Sequence, residues 1–383
     1  MANKRGYSMR AHEKGFGLVE IMVGLGIGML AMVVVMEVYS QSEARKRTTT
    51  SGGDAQSNGA IALTMIERDV RNAGWGMDIT QYANCATTYT YCDGSAACGG
   101  TGTAGPLGGF NLASVVIADG GTTGPDAISA QYFADPNLGT FRLPASTKLR
   151  STMPQSSSEL NVASTSGCQD GYLALVSQGS TCTLMQVTQV QGQALKIQHN
   201  PGGSGIYNPP ASYQNDNNWP AYTVGATLSC FAQPASAAQF QRSYSINSSR
   251  RQLLRSDNST ATAAANEVVA PEIVDLQAEY GIANAGSQNV NAWVPASGTT
   301  WANPSAANRN RIKAVRIALV ARSAQYEKPA AGATCSTTTQ TMVNGWSTWA
   351  TFNASTYSSD WQCYRYKVFE TIVPLRNVMW GNI

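Results

Sequence analysis

Residues 21–36 form an apolar run of 16 residues without a single charge, with Glu20 directly before it and Glu37 directly after it. A helix that crosses a bilayer needs about 20 such residues. Extending the run back to Phe16 supplies the length and takes Glu20 inside it. Lys4, Arg5, Arg10 and Lys14 precede the run, offset only by Glu13. Basic residues before an apolar span keep that end in the cytoplasm and send the following chain across. The same segment accounts for the net charge of the whole chain. The sequence carries +3, residues 1–15 carry +3 by themselves, and the remainder holds 22 basic and 22 acidic side chains. A neutral remainder is a poor match to a nucleic-acid binder. Only 13% of the residues are charged, against about 25% in a typical soluble domain. With 43% hydrophobic residues the composition is not that of a disordered chain. The length of 383 residues suffices for a buried core and allows two domains.

Three readings of the amino terminus compete. A secretory signal peptide accounts for the basic and apolar regions. No Ala-x-Ala cleavage site lies near Ser40, however, where the chain reads Ser40-Gln41-Ser42. A plain signal anchor leaves Glu20 unexplained, although a carboxylate in an apolar span costs a few kcal/mol and calls for a partner. The third reading starts from Gly15-Phe16-Gly17-Leu18-Val19-Glu20, which resembles the type IV prepilin signature. That resemblance implies cleavage between Gly15 and Phe16 by a membrane peptidase and N-methylation of Phe16. It also implies that Glu20 pairs with the cationic amino terminus of a neighbouring subunit. A buried carboxylate is tolerable when paired, and breaking such a pair costs roughly 3–5 kcal/mol. Gly24, Gly26 and Gly28 make a weak phosphate-loop pattern with no strand before it; close helix packing or local flexibility is the plainer reading. Related major pilins often carry Pro further along this helix, at the position of Glu37.

Residues 54–73 read as a second, amphipathic stretch of helix. Leu63, Ile66, Val70 and Ala73 fall on one stripe, and Gly74 supplies a stop. The polar stretch 48–59, with Gly52-Gly53, leaves open whether the two stretches form one helix. Beyond Trp75 the pattern is that of antiparallel strands bounded by Gly, Pro, Ser and Asn. Strands are expected at 114–118, 127–133, 171–177, 183–190 and 194–199, and at 242–246, 252–255, 274–280, 312–321 and 365–374. Long surface loops are expected at 99–109, 201–227 and 284–310. Ile66-Glu67-Arg68-Asp69-Val70-Arg71-Asn72-Ala73-Gly74-Trp75 resembles the end of the long helix in minor pilins of the PilW family. The runs 171–177, 185–188, 273–281, 313–323 and 366–377 resemble its strands in the right order. The implied fold is α+β and pilin-like, with a long amino-terminal helix on an antiparallel β-rich domain. The implied division is a leader at 1–15, a membrane and filament-core helix at 16–39, its amphipathic continuation at 40–75, and a β-rich domain at 76–383.

Eight cysteines without a Cys-x-x-Cys pair give no redox motif and no zinc ribbon. An even count in an exported chain points to disulfides. Cys335 with Cys363 is one expected pair, because both flank one loop before the last strand. Cys168 with Cys182 is another, and Cys85, Cys92 and Cys98 are expected to pair mainly locally; free buried thiols remain the alternative. His199 is expected in solvent or at a strand end, Asp216-Asn217-Asn218 as a turn lacking the calcium-loop spacing, and Arg250-Arg251 and Arg309-Asn310-Arg311 as surface charge. Trp293, Trp301, Trp346, Trp349 and Trp361 lie in the long loops, as exposed contacts or as pins onto a core. No nucleophile–base pair, acid pair or metal set emerges, so no catalysis, cofactor or metal is expected.

The family resemblance implies a minor pilin that primes pilus assembly at the tip and supports adhesion and twitching motility. The implied partners are other minor and major pilins, the prepilin peptidase, the inner-membrane assembly platform and a large tip adhesin. The implied location is the inner membrane before assembly and the pilus afterwards. A minor pseudopilin of type II secretion shares the leader, the acid and the helix. A membrane-anchored adhesive β-domain is the alternative of another class.

Overall fold

The computed structural model describes residues 15–77, 84–100, 102–121, 124–134, 145–156, 159–202, 205–234, 238–258, 264–327, 329, 332–340 and 347–380. Most of the leader and Trp346 lie outside the described residues. One helix, α1, runs Leu18–Asn72 through the Gly52-Gly53 pair without a break. The chain divides into two compact units, residues 1–52 and 53–383. In the first unit, α1 carries a candidate membrane span, Leu18–Glu43, with mean hydropathy 2.5. Its large apolar side chains from Leu18 to Tyr39 are exposed.

In the second unit the remaining turns of α1 face the opposite situation. Ala55, Ala62, Ile66, Val70 and Ala73 are buried in the main core, and Leu63 packs against it. Spacings of three, four and seven residues put them on one face. Gly59 sits on that face because the Phe369 ring comes so close that a Cβ would overlap it. The helix stops at Gly74, whose φ of 79° is left-handed. Two independent partners close the end. The Gly74 N–H donates to the Gln131 carbonyl at 2.7 Å. The Asn377 amide donates to the Asn72 and Ala73 carbonyls, each at 3.1 Å.

The β-rich part comprises four sheets. The first orders Thr87–Tyr89 (β1), Thr181–Gln186 (β7), Leu173–Gln178 (β6), Thr227–Phe231 (β10) and Ala145–Lys148 (β4). The second orders Ala264–Pro271 (β13), Gln252–Asp257 (β12), Phe240–Asn247 (β11), Ala127–Tyr132 (β3) and Val115–Ala118 (β2). The third orders Val290–Pro295 (β15), Ile273–Ala283 (β14), Ile312–Arg322 (β16) and Tyr366–Pro374 (β17). A small fourth sheet joins Leu160–Asn161 (β5), Lys196–Gln198 (β9) and Gln189–Gln191 (β8). Among the described residues the pairings are antiparallel except one: β1 lies parallel to β7. No hairpin joins those two strands, so turn geometry does not fix their direction.

Two departures from the sequence-based expectation concern segments read as loops. Val290–Pro295 lies within 284–310 and forms the edge strand β15. Residues 201–227 hold a short helix, Ala211–Asp216. Strand β10 is not among the expected strands; it pairs on both sides and is nearly all buried. Its run Thr227-Leu228-Ser229-Cys230 alternates polar and apolar, yet Ser229 is as buried as its neighbours.

Candidate functional site

The acids of α1 mark two different surfaces. Glu20 lies in the first turn of the helix, is exposed, and has no partner among the described residues. Its backbone N–H donates to the Gly17 carbonyl at 2.9 Å. A carboxylate in the first turn suits the positive end of the helix dipole. Gly15 and Phe16 precede the helix, and Phe16 is 78% exposed. The apolar surface that follows carries side chains each worth roughly 1.5–3 kcal/mol on burial, and the fold of this chain does not bury them.

Asp69, near the other end of α1, is fully buried. Arg242 on β11 donates to it from a guanidinium nitrogen at 2.9 Å and to Asp257 on β12 from Nε at 2.9 Å. The Tyr244 hydroxyl donates to the second Asp69 oxygen at 2.5 Å. The Tyr132 hydroxyl donates to the Asp69 backbone carbonyl at 2.9 Å. Phe240, Arg242 and Tyr244 alternate on one face of β11, which turns all three inward. Burial, reinforced by Asp69, pushes both tyrosine hydroxyls well above their ordinary pKa, so they stay protonated donors. The network seats the helix on the second sheet in a fixed rotation. A second buried acid ties the second sheet to the third. Asp126 accepts N–H bonds from Gly120 at 2.8 Å and Ala278 at 2.7 Å. Burial outweighs these bonds and pushes its pKa up to about 6.

The cysteines pair as Cys85–Cys182, Cys92–Cys98, Cys168–Cys230 and Cys335–Cys363. The expectation of Cys168 with Cys182 is corrected by strand parity. Cys182 points with Leu184 into the main core, whereas Cys168 and Cys230 lie in a separate cluster with Val176 and Leu228. The two sulfurs are on opposite faces of the first sheet. Cys85 is likewise not locally paired: its bridge spans 97 residues. Cys92, Asp93 and Cys98 bring three potential metal-ligand atoms together, but the two sulfurs are bonded to each other and leave no thiolate pair.

Other expected features also find places. His199 directly follows β9 and is buried, not solvated. Asp216-Asn217-Asn218 closes the short helix at Ala211–Asp216, with Asn218 at φ 50°. Arg250 is exposed, but Arg251 faces Glu272 at 3.4 Å. Arg309 donates to the Cys85 carbonyl at 3.1 Å, so this basic cluster is not plain surface charge. Trp293 and Trp349 sandwich the Arg316 guanidinium, at 5.1 Å and 4.4 Å from their ring centres. Arg311 lies over Trp301 at 5.5 Å, and Trp361 is buried. These tryptophans act as pins onto the domain.

An apolar anchor-like helix joined to a disulfide-bonded β-rich domain defines the class of protein. Within that class, the family model described as Type IV Pilus-assembly protein W, PilW, matches residues 241–377. The matched stretch opens one residue before Arg242 and closes on Asn377, the residue that caps α1. It supports the PilW resemblance and a role related to type IV pilus assembly. No curated protein and no solved structure is significantly similar to the chain.

Proposed function

We propose that the chain is a minor pilin of the type IV pilus. The observation that carries this reading is one helix with two fates: an exposed apolar half headed by Glu20, and a half with a buried stripe in a domain whose residues 241–377 the PilW model matches. In this reading residues 1–15 are removed by cleavage between Gly15 and Phe16, and Phe16 becomes the methylated amino terminus. Residues 16–39 lie first in the inner membrane, amino terminus in the cytoplasm, and then in the filament core. Residues 40–75 continue the helix, and residues 76–383 face the periplasm and then the outside. Glu20 recruits the subunit by pairing with the amino terminus of a neighbouring pilin. The apolar face then exchanges lipid for other pilin helices, so the chain needs no charge on that face after Glu20 until Glu37.

The remaining partners are the prepilin peptidase, the inner-membrane assembly platform, other minor pilins and a large adhesin at the tip. Priming at the tip serves attachment and twitching motility. The chain is a substrate of the peptidase and performs no catalysis itself. Four disulfides suit the oxidising compartment this topology gives the domain. A deletion strain scored together for surface pili and for type II cargo secretion tests the reading. Loss of pili with normal secretion is the expected result. Lost secretion with intact pili would assign the protein to the type II pseudopilus instead.

A further inference from the structure

A half-open cleft of about 500 Å³ lies where the carboxy-terminal end of β14 meets the start of β16. Its volume falls within the range of about 300–1,000 Å³ typical of small-molecule sites. Asn84, Asn284, Gln288, Asn310, Arg311 and Lys313 contribute its polar lining, and alanines much of the rest. Two irregularities in the strands build it. Gly281 pairs with Ala314 and Ile282 with Ile312, so Lys313 is an extra residue opposite no partner. Ile282 pairs with Ala292 and Ala283 with Val290, so Asn291 is a second extra residue at the same end of β14. A bulge re-aims the side chain it carries. Here Ile312 and Val315 both enter the main core, three residues apart, and Lys313 is left to line the cleft.

Lys313 is the informative residue. Only 3% of it is exposed, yet no described residue pairs with its ammonium. Burial pushes its pKa down. Lys313 lines the cleft without an ion-pair partner among the described residues, and an anion is the natural complement of such a cation. No acid lines the cleft among the described residues. The neighbouring arginines are already engaged: Arg309 donates to the Cys85 carbonyl, and Arg311 to the Ala283 carbonyl at 2.9 Å and the Asn308 amide oxygen at 3.2 Å. A second unmet need lies in the same cleft. The Gln288 side-chain oxygen is buried and accepts no hydrogen bond. The ligand that meets both needs carries an anionic group for Lys313 and a hydroxyl or N–H for Gln288. Asn84 and Asn310 offer further amides to other hydroxyls. The Cys85–Cys182 bridge fixes the wall between Asn84 and Ala86.

We propose that this cleft binds a small polyhydroxylated carboxylate, the chemistry of a uronic acid, with the Lys313 ammonium on the carboxylate and Gln288 accepting from a hydroxyl. The site needs only the geometry of the domain and stands independently of the pilus reading. The same chemistry arises from a free sugar acid or from one residue of an acidic polysaccharide. The test is calorimetric titration of the full-length protein in detergent micelles with glucuronate, with glucose, and with an oligosaccharide containing glucuronate. Glucuronate is expected to bind one to one, at least about tenfold more tightly than glucose, and more weakly as salt rises. Tighter binding of the oligosaccharide than of glucuronate assigns the site to a polymer; equal binding assigns it to the free acid. Lys313→Met is expected to lose at least about tenfold in affinity. Asn310→Ala, at the half-buried wall, is expected to lose a few-fold and keeps the test valid if Lys313→Met does not fold. Absence of glucuronate and oligosaccharide binding, or unchanged affinity in a folded Lys313→Met, would overturn the proposal.

Discussion

The two halves of α1 both carry apolar surface, and only that of the second half is buried in the core. Residues 18–39 expose Leu, Ile, Val and Met side chains on every face. Residues 55–73 bury a single stripe and expose the rest. The acids follow the same division. Glu20 stands exposed without a described partner, whereas Asp69 is enclosed by Arg242 and Tyr244 within its own chain. An all-round apolar helix suits lipid or a bundle of other helices. A one-sided stripe suits a single partner surface. The difference teaches that one half of the helix is part of the monomer's core, while the other half, a candidate membrane span, keeps its apolar surface exposed.

Substitutions in the two halves should therefore separate cleanly in unfolding of the full chain in detergent micelles, followed by tryptophan fluorescence. Arg242→Met is expected to cost the most, about 3–5 kcal/mol, because it leaves the buried Asp69 and Asp257 carboxylates without their shared cation. Ile66→Ala is expected to cost about 2–5 kcal/mol through the cavity it opens in the main core. Gly59→Val forces a side chain into the Phe369 ring and should cost about 1–3 kcal/mol. Met29→Ala lies in the exposed half and should change the unfolding free energy by less than about 0.5 kcal/mol. A loss from Met29→Ala as large as that from Ile66→Ala would erase the distinction between the halves.

A pH-dependent effect sharpens the picture of the domain rather than the helix. Burial raises the Asp126 pKa from 3.8 to about 6. Its folded value lies above its unfolded one, so its contribution to stability is fully present below about pH 4. That contribution is lost as pH rises through about 6. A carboxyl NMR titration should give an Asp126 midpoint near 6; a midpoint near the ordinary 3.8 would contradict the burial argument.

Much of this arrangement is legible in the sequence, because it follows from periodicity. The stripe from Leu63 to Ala73, the Gly74 stop, and the strands around Val315 and Val373 all announce themselves by spacing. What escaped depends on contacts between segments distant in sequence. Asp69 reads as one of several charges near the helix end, and only its meeting with β11 makes it a core residue. The available signal was on the strand: Phe240, Arg242 and Tyr244 share one parity, so an inward Arg demanded an inward acid. Strand parity also carried a signal for the disulfides, since Cys182 and Leu184 point one way and Met185 and Val187 the other. The Lys313 bulge left no such mark, because a bulge is set by pairing between two strands rather than by one strand's pattern.

The central claim is that Glu20 and the exposed half of α1 serve assembly and not the fold of the monomer. The direct measurement is Glu20→Ala expressed in place of the wild type. Its mature amino terminus is read by mass spectrometry, and its ratio between sheared pili and the membrane fraction by immunoblot. The account predicts cleavage between Gly15 and Phe16, an unchanged unfolding midpoint, and retention in the membrane with depletion from pili. Incorporation of Glu20→Ala into sheared pili at the wild-type ratio would contradict it.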